Sequence, residues 1–367
     1  MISQYEPSIN RKTLAREVSD YILSDGYFTE YKHTEKFEEE IADFLNVKHC
    51  SVVNNGTISL SLVLLAHEIK PYDLVIVPNI TMIATSNAVK LIGAKPLFID
   101  IDGTGCLNLE TVKFQIETYK DVKAVIYVTL SGRSHDKKEL DEMKLFCDEH
   151  NVAFIQDNAQ SFGSSYNDGS KINCLDNGIG SFSFSMPKII TTGQGGCLVT
   201  NNDELTLKIK KLKDFGRSSG GNDIHDSFGI NSKFTEMQAI MGLNQLKDIN
   251  KRISDKKLIY QSYRNELKDI KEISFIDTNL EYTTPWFVDI YIENRKELSS
   301  YLLQNQIKTR NIYSELNKQK VNCTDDIFID GMFSKICAEK GLWLPSSMSL
   351  KIEEIKYICD KIKEFYK

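Results

Sequence analysis

The stretch Ser181-Phe182-Ser183-Phe184-Ser185-Met186-Pro187-Lys188-Ile189-Ile190-Thr191-Thr192-Gly193-Gln194-Gly195-Gly196 decides how the rest of the chain is read. It opens with a two-residue period, the mark of a strand. Phe182 and Phe184 share one face; Ser181, Ser183 and Ser185 share the other. It closes on a glycine cluster, where backbone can turn sharply or come close to a ligand. Between them stands Lys188, just after Pro187. An amine between apolar residues and a glycine turn suits a Schiff-base lysine, because desolvation lowers its pKa and frees its lone pair. In isolation the stretch also fits a surface lysine on a loop, so the choice depends on the flanking chain.

Outward from it, short apolar runs recur at 50–53, 74–77, 96–101, 124–128, 153–155, 180–184 and 197–200. Helix-length segments separate most of them, at 57–68, 83–92, 109–118 and 137–150. This alternation predicts an α/β fold with a mainly parallel, seven-stranded sheet covered on both faces. Ligands in such sheets bind at the carboxyl ends of strands. Residues 1–30 read as an arm. A helix is expected from Thr34, taken as its N-cap, with Glu35 and Glu38 in the first turn. Residues 201–245 turn helical around an expected loop at 219–223, and 246–271 read as a long charged helix. Strands at 273–276 and 286–292 and helices at 295–304 and 352–366 complete a smaller α+β unit. The expected division is 1–245, including the arm, and 246–367.

Composition narrows the function classes. The 367 residues carry a net charge of -6, which offers no basic footprint for nucleic acid. No apolar run is long enough to cross a bilayer, and the N-terminal residues show no signal-peptide core, so a cytoplasmic protein without a membrane partner is expected. The eight cysteines include no CxxC pair, which argues against both a metal site and a disulfide framework.

Three further constellations carry chemistry. Asn54-Asn55-Gly56-Thr57-Ile58-Ser59 joins a strand to an apolar helix, whose free N–H groups and positive dipole end suit a phosphate; it reads equally as a plain turn capped by Thr57. Gln156-Asp157-Asn158-Ala159-Gln160 ends a strand with a carboxylate that can hold a protonated ring nitrogen, or simply cap the next segment. Gly229-Ile230-Asn231-Ser232-Lys233-Phe234-Thr235-Glu236-Met237-Gln238-Ala239 contains a capping box, Thr235 with Gln238.

Taken together these segments resemble the DegT/DnrJ/EryC1/StrS sugar aminotransferases, a pyridoxal-phosphate branch of the fold type I enzymes. The resemblance covers nearly the whole chain. It runs from Gly26-Tyr27-Phe28-Thr29-Glu30, through 78–85 and Gly93-Ala94-Lys95-Pro96, to Gly341-Leu342-Trp343-Leu344-Pro345-Ser346-Ser347. It implies pyridoxal 5'-phosphate as cofactor, with pyridoxamine 5'-phosphate formed midway through a ping-pong reaction. It implies that Lys188 bonds the cofactor and shuttles the proton, that Asp157 holds the pyridine nitrogen and that Gln160 lies near the ring hydroxyl. Gly56, Thr57 and Ser183 would hold the phosphate, and Asn231 would reach it from the partner subunit of a homodimer with shared active sites. Met82 stands where an aromatic ring often stacks and is expected beside the pyridine.

Arg217, His225 and Arg310 are substrate-side candidates. Within the family, Pro285-Trp286-Phe287-Val288-Asp289 and the 341–347 segment look most like the perosamine-synthase branch of polysaccharide and O-antigen biosynthesis. That implies amination at C4 of a nucleotide-linked 4-keto-6-deoxy sugar, GDP-linked by preference, with L-glutamate as donor. Amination at C3, or of a dTDP- or UDP-linked sugar, is the alternative. Related 3-dehydratases replace the lysine with histidine, so Lys188 argues against that reading, and a non-catalytic regulatory homologue has no need of the Lys188, Asp157 and Ser183 set.

Overall fold

The computed structural model describes all residues except 220–222, 323–326 and 330, so the centre of the expected 219–223 loop lies outside the described residues. Eleven strands and twelve α-helices follow one another in the described chain. The strands are β1 (His49–Val53), β2 (Leu74–Pro78), β3 (Lys95–Ile99), β4 (Val122–Val128), β5 (Ala153–Asp157), β6 (Ile179–Ser183), β7 (Gly196–Thr200), β8 (Asp289–Tyr291), β9 (Arg310–Asn311), β10 (Ile327–Phe328) and β11 (Gly341–Trp343). The first half carries α1 (Arg11–Ile22), α2 (Lys32–Leu45), α3 (Gly56–Ala66), α4 (Ala84–Leu91), α5 (Leu109–Thr118), α6 (Lys137–Glu149) and α7 (Asp203–Lys213). Then come α8 (Glu236–Leu246), α9 (Ile249–Leu267), α10 (Arg295–Gln304), α11 (Met332–Lys340) and α12 (Ile352–Phe365).

The large sheet has the order β1-β7-β6-β5-β4-β2-β3-β10. All seven expected strands are in it. The eighth, β10, comes from the C-terminal third and lies parallel to β3, so the expectation of seven strands is corrected. An apolar run as short as Ile327-Phe328-Ile329 carries too little periodicity to be read as a strand. β7 alone runs against the rest, antiparallel to both β6 and β1. The carboxyl ends of β1, β2, β4, β5 and β6 therefore share one edge of the sheet with the start of β7. The register sets Val128 beside Asp157, Asp157 beside Ser181, and Gly196 between Val53 and Ser183.

Apolar side chains on the two faces form separate clusters. α3 lies in one of them and is buried on nearly every side, which its unbroken apolar run Leu62–Ala66 requires. The smaller sheet has the order β8-β11-β9, is antiparallel, and packs with α9, α10 and α12. The strand expected at 273–276 is a single bridge, Ser274 to Tyr291, and that at 286–292 shrinks to β8. α9 serves both cores: Ile249 packs with the large sheet, Ile259 and Tyr263 with the small one. The capping box of Thr235 and Gln238 opens α8 as expected. Thr34 does not cap α2, because the helix begins earlier and Tyr31 occupies the cap position without a side-chain bond. Glu236 of α8 does that work: it accepts from the N–H groups of Tyr31, His33 and Thr34, at 2.9, 2.8 and 2.9 Å, and from the Thr34 hydroxyl at 2.6 Å. No helix among the described residues is long and apolar enough to cross a membrane.

Candidate active site

At the shared strand edge lies a cavity of about 330 Å³, lined among others by Gly56, Thr57, Met82, Asp157, Gln160, Ser183 and Lys188. Its floor follows from strand order. Asp157 is the last residue of β5, Ser183 the last of β6, and Gly56 the first of α3. The Asn55 side chain, rather than Thr57, caps α3 by accepting from Ile58 N at 2.9 Å, which leaves the Thr57 hydroxyl free of the capping role. The approach is close: a Cβ on Gly56 would lie 3.0 Å from Ser183 Cβ, and one on Gly196 would lie 2.9 Å from Gly56 N. Those two positions therefore take only glycine without displacing the turn.

Lys188 is half-buried at the cavity wall rather than free on a surface loop. Burial pulls its amine down from 10.5 to about 8, against the opposing field of Asp157. Its Nζ lies 4.5 Å from the centre of the Trp286 ring. Asp157 is buried, and burial raises its pKa while the Thr85 hydroxyl, the Ala159 N–H and Lys188 act the other way. Its Oδ2 accepts from Thr85 Oγ1 at 2.9 Å and its Oδ1 from Ala159 N at 3.2 Å. Gln160 accepts from Ser131 N at 2.8 Å and donates to the Tyr313 hydroxyl at 3.2 Å. Met82 sits half-exposed at the rim, its sulfur accepting from Ala84 N at 3.0 Å.

The other candidates stand apart from this cavity. Asn231 is exposed, bridges to Asp214 and accepts from Lys233 N. Arg217 and His225 face each other across a bridge; Arg217 pairs with Asp214 at 3.1 Å, and His225 pairs with Asp223 and donates to the Phe215 carbonyl. Arg310 is exposed on β9 with its guanidinium 5.4 Å from the Trp343 ring, which meets Trp286 edge-on. Thr85, Trp286 and Tyr313 bear on the site and were not singled out from sequence. Thr85 and Trp286 lie inside segments that carry the family resemblance; Tyr313 has no local signal.

The donor set fits pyridoxal phosphate. A buried carboxylate with only two neutral donors keeps lone pairs for a protonated ring nitrogen. An α-helix N-terminus with the Thr57, Ser183 and Ser185 hydroxyls beside it suits a phosphate. An amine at the cavity wall, its pKa brought down to about 8, completes the set. Among the described residues no cluster suited to a metal ion occurs.

The DegT/DnrJ/EryC1/StrS aminotransferase family model matches residues 9–363. A GDP-perosamine synthase of Vibrio cholerae is 32% identical over all of this chain and 99% of its own. That of Escherichia coli O157:H7 is 31% identical over all of this chain and 98% of its own. Among solved structures, S. venezuelae DesV in complex with a ketimine intermediate superposes with a TM-score of 0.89 at 25% identity, over 97% of this chain and 95% of that one.

Proposed function

This chain belongs to the DegT/DnrJ/EryC1/StrS aminotransferase family and is a pyridoxal-phosphate-dependent sugar aminotransferase; from that premise we propose the substrate, the donor and the roles of its residues. The substrate is a nucleotide-linked 4-keto-6-deoxy sugar, GDP-linked by preference, aminated at C4 with L-glutamate as donor. Two full-length relatives that bear the GDP-perosamine name support the sugar. The observation that carries the chemistry is the meeting of buried Asp157 and half-buried Lys188 at one cavity beneath the α3 N-terminus.

Pyridoxal phosphate, when bound, supplies an electron-withdrawing ring that delocalises the charge left on the amino-bearing carbon when its proton departs. The protein does the rest. Asp157 holds the ring nitrogen, and a cation facing it adds to the support its charge already has from the Thr85 hydroxyl and the Ala159 N–H. Lys188 Nζ would take the proton from the donor's amino-bearing carbon in the first half of the reaction and deliver one to the sugar carbon that receives the amine in the second. Gly56, Thr57 and Ser183 bind phosphate, Gln160 borders the ring, and Met82 covers one edge. Arg310, beside the Trp343 ring, and Arg217 and His225, which lie away from the cavity of their own chain, are proposed to contact the nucleotide sugar.

The enzyme works as a homodimer whose Asn231 reaches the partner's site. Asn231 is turned to solvent in one chain. Exposed Leu23, Tyr27, Phe28, Ile224 and Phe228 lie on the arm and on the segment leading to it, and Phe28 pairs directly with Glu236. The test is a glutamate-coupled assay against GDP-, dTDP- and UDP-linked sugars in both 3-keto and 4-keto forms, with the aminated position read from the product. A 4-amino GDP-sugar is expected. Turnover of only 3-keto substrates would overturn the C4 assignment.

A further inference from the structure

The loop that carries Lys188 is held from outside the cavity. Three of its carbonyls each accept from a side chain on a distant segment. Tyr5 OH donates to Met186 O at 2.6 Å, Trp286 Nε1 to Pro187 O at 2.7 Å, and Arg252 Nη1 to Ile189 O at 3.2 Å. Arg252 also donates to Ser8 O at 2.8 Å, so one guanidinium ties the arm to the loop. The arm itself is anchored. Ile2 exchanges backbone bonds with Gln306 and Lys308, Ser346 N donates to Gln4 O, and Glu6 N donates to Ser347 Oγ at 2.6 Å. Buried Lys256 completes the anchor by donating to Ser346 O at 2.8 Å.

The donors are built to stay donors. Burial pushes Tyr5 up to about 12, with Arg252 opposing, so its hydroxyl keeps its proton at physiological pH. Trp286 is fixed by stacking on Phe287 at 4.0 Å and by the edge of Trp343. It meets the loop twice, through its N–H on Pro187 and its ring face beside Lys188 Nζ. Tyr5 also leans on Phe287, 6.0 Å between ring centres. A lysine that must bond, release and accept protons needs freedom in its side chain and none in its backbone, since misplacement of about 1 Å costs roughly two decades of rate.

We propose that Tyr5, Trp286 and Arg252 are positioning residues for Lys188, acting through the Met186, Pro187 and Ile189 carbonyls, so that the N-terminal arm and the second sheet unit together set the place of the amine. The proposal rests on the aminotransferase reading only for its kinetic consequence.

The test uses the full-length protein, with and without added pyridoxal phosphate, as wild type, Tyr5→Phe and Trp286→Phe. Tyr5→Phe keeps the ring and removes only the donor; Trp286→Phe removes the indole N–H together with one of its two rings, so Tyr5→Phe separates the hydrogen bond from packing. Hydrogen exchange followed on peptides covering 184–192 should quicken about fivefold in each variant, while β4 exchanges as before. With glutamate, kcat should fall roughly three- to tenfold and KM should move less than twofold, because placement of the amine matters after binding. Unchanged exchange in the loop overturns the proposal. So does faster exchange spread evenly over both sheets, which would mark a packing role alone, and so does a loosened loop with an unchanged kcat. Absence of transamination in the wild type overturns the functional reading instead, and the exchange result then decides the clamp by itself.

Discussion

Lys188 and Asp157 show what burial does to two opposite charges. Each is driven toward its neutral form by loss of water, and each is partly rescued by the other. For Lys188 the ordinary value of 10.5 falls to about 8. Below pH 8 the amine is charged both folded and unfolded, and the fold bears the cost of the partly desolvated cation. Between 8 and 10.5 the unfolded chain binds more protons, so stability of the cofactor-free protein rises with pH across that window. Lys256, lowered by burial to about 7, adds to the same rise from a lower start. Lys188→Met keeps the aliphatic stem and removes the charge. It should melt no lower than wild type at pH 7, show a smaller rise toward pH 10, and lose at least about a thousandfold in turnover. Melting against pH, with and without the substitution, checks the first two outcomes. Asp157→Asn should still bind cofactor but lose about two or more decades in kcat, since an amide cannot match the pyridinium charge; an unchanged rate would reduce Asp157 to the turn cap it also forms with Ala159.

Among the elements, α2 depends on a residue two hundred positions away. Its first turn leaves N–H groups without intrahelical partners, and Glu236 gathers those of Tyr31, His33 and Thr34. Burial alone would raise the Glu236 pKa, but the Thr34 hydroxyl and the N–H groups of His33, Tyr31 and Thr34 outweigh it and hold it below 4.5. A depressed carboxyl stabilises the fold above its unfolded value and loses that contribution as pH falls through the folded value. Glu236→Gln should therefore cost about 1–3 kcal/mol at pH 7. It should also melt with a weaker dependence on acid below pH 4.5 than wild type does, which thermal denaturation at pH 3 to 7 would show.

At the scale of the whole molecule, one buried ion pair joins the two sheets. Arg133, in the chain after β4, meets Asp289 of β8 through two bonds, at 2.6 and 3.1 Å, with both side chains buried. Burial works against the Arg133 charge, and Asp289 more than offsets it. Asp289→Ala strands a buried guanidinium and should destabilise by about 3–5 kcal/mol, measured by denaturant unfolding. The proposed shared site is tested at this scale also. Where Lys188→Ala and Asn231→Ala are each impaired, exchanging their subunits should restore roughly a quarter of wild-type activity. About half the dimers are then mixed, and one site of each mixed dimer is intact. No recovery despite confirmed exchange would assign Asn231 to its own subunit.

The sequence by itself determined the seven strands of the large sheet, the helices between them and the family. Those signals are local: an apolar run, a 3.6- or 2-residue period, a glycine turn. It also singled out the residues of the cavity from Gly56 to Lys188, because each follows the end of a strand and parallel strands bring their ends to one edge. Only the tertiary structure decided what touches what across long separations. Tyr5 and Met186 are 181 residues apart, and Trp286 and Pro187 are 99 apart. A carbonyl leaves no trace in sequence of which donor will find it, so neither the clamp on the lysine loop nor the cap that Glu236 places on α2 was legible. The same holds for β10, whose two residues become a strand only because β3 offers them an open edge.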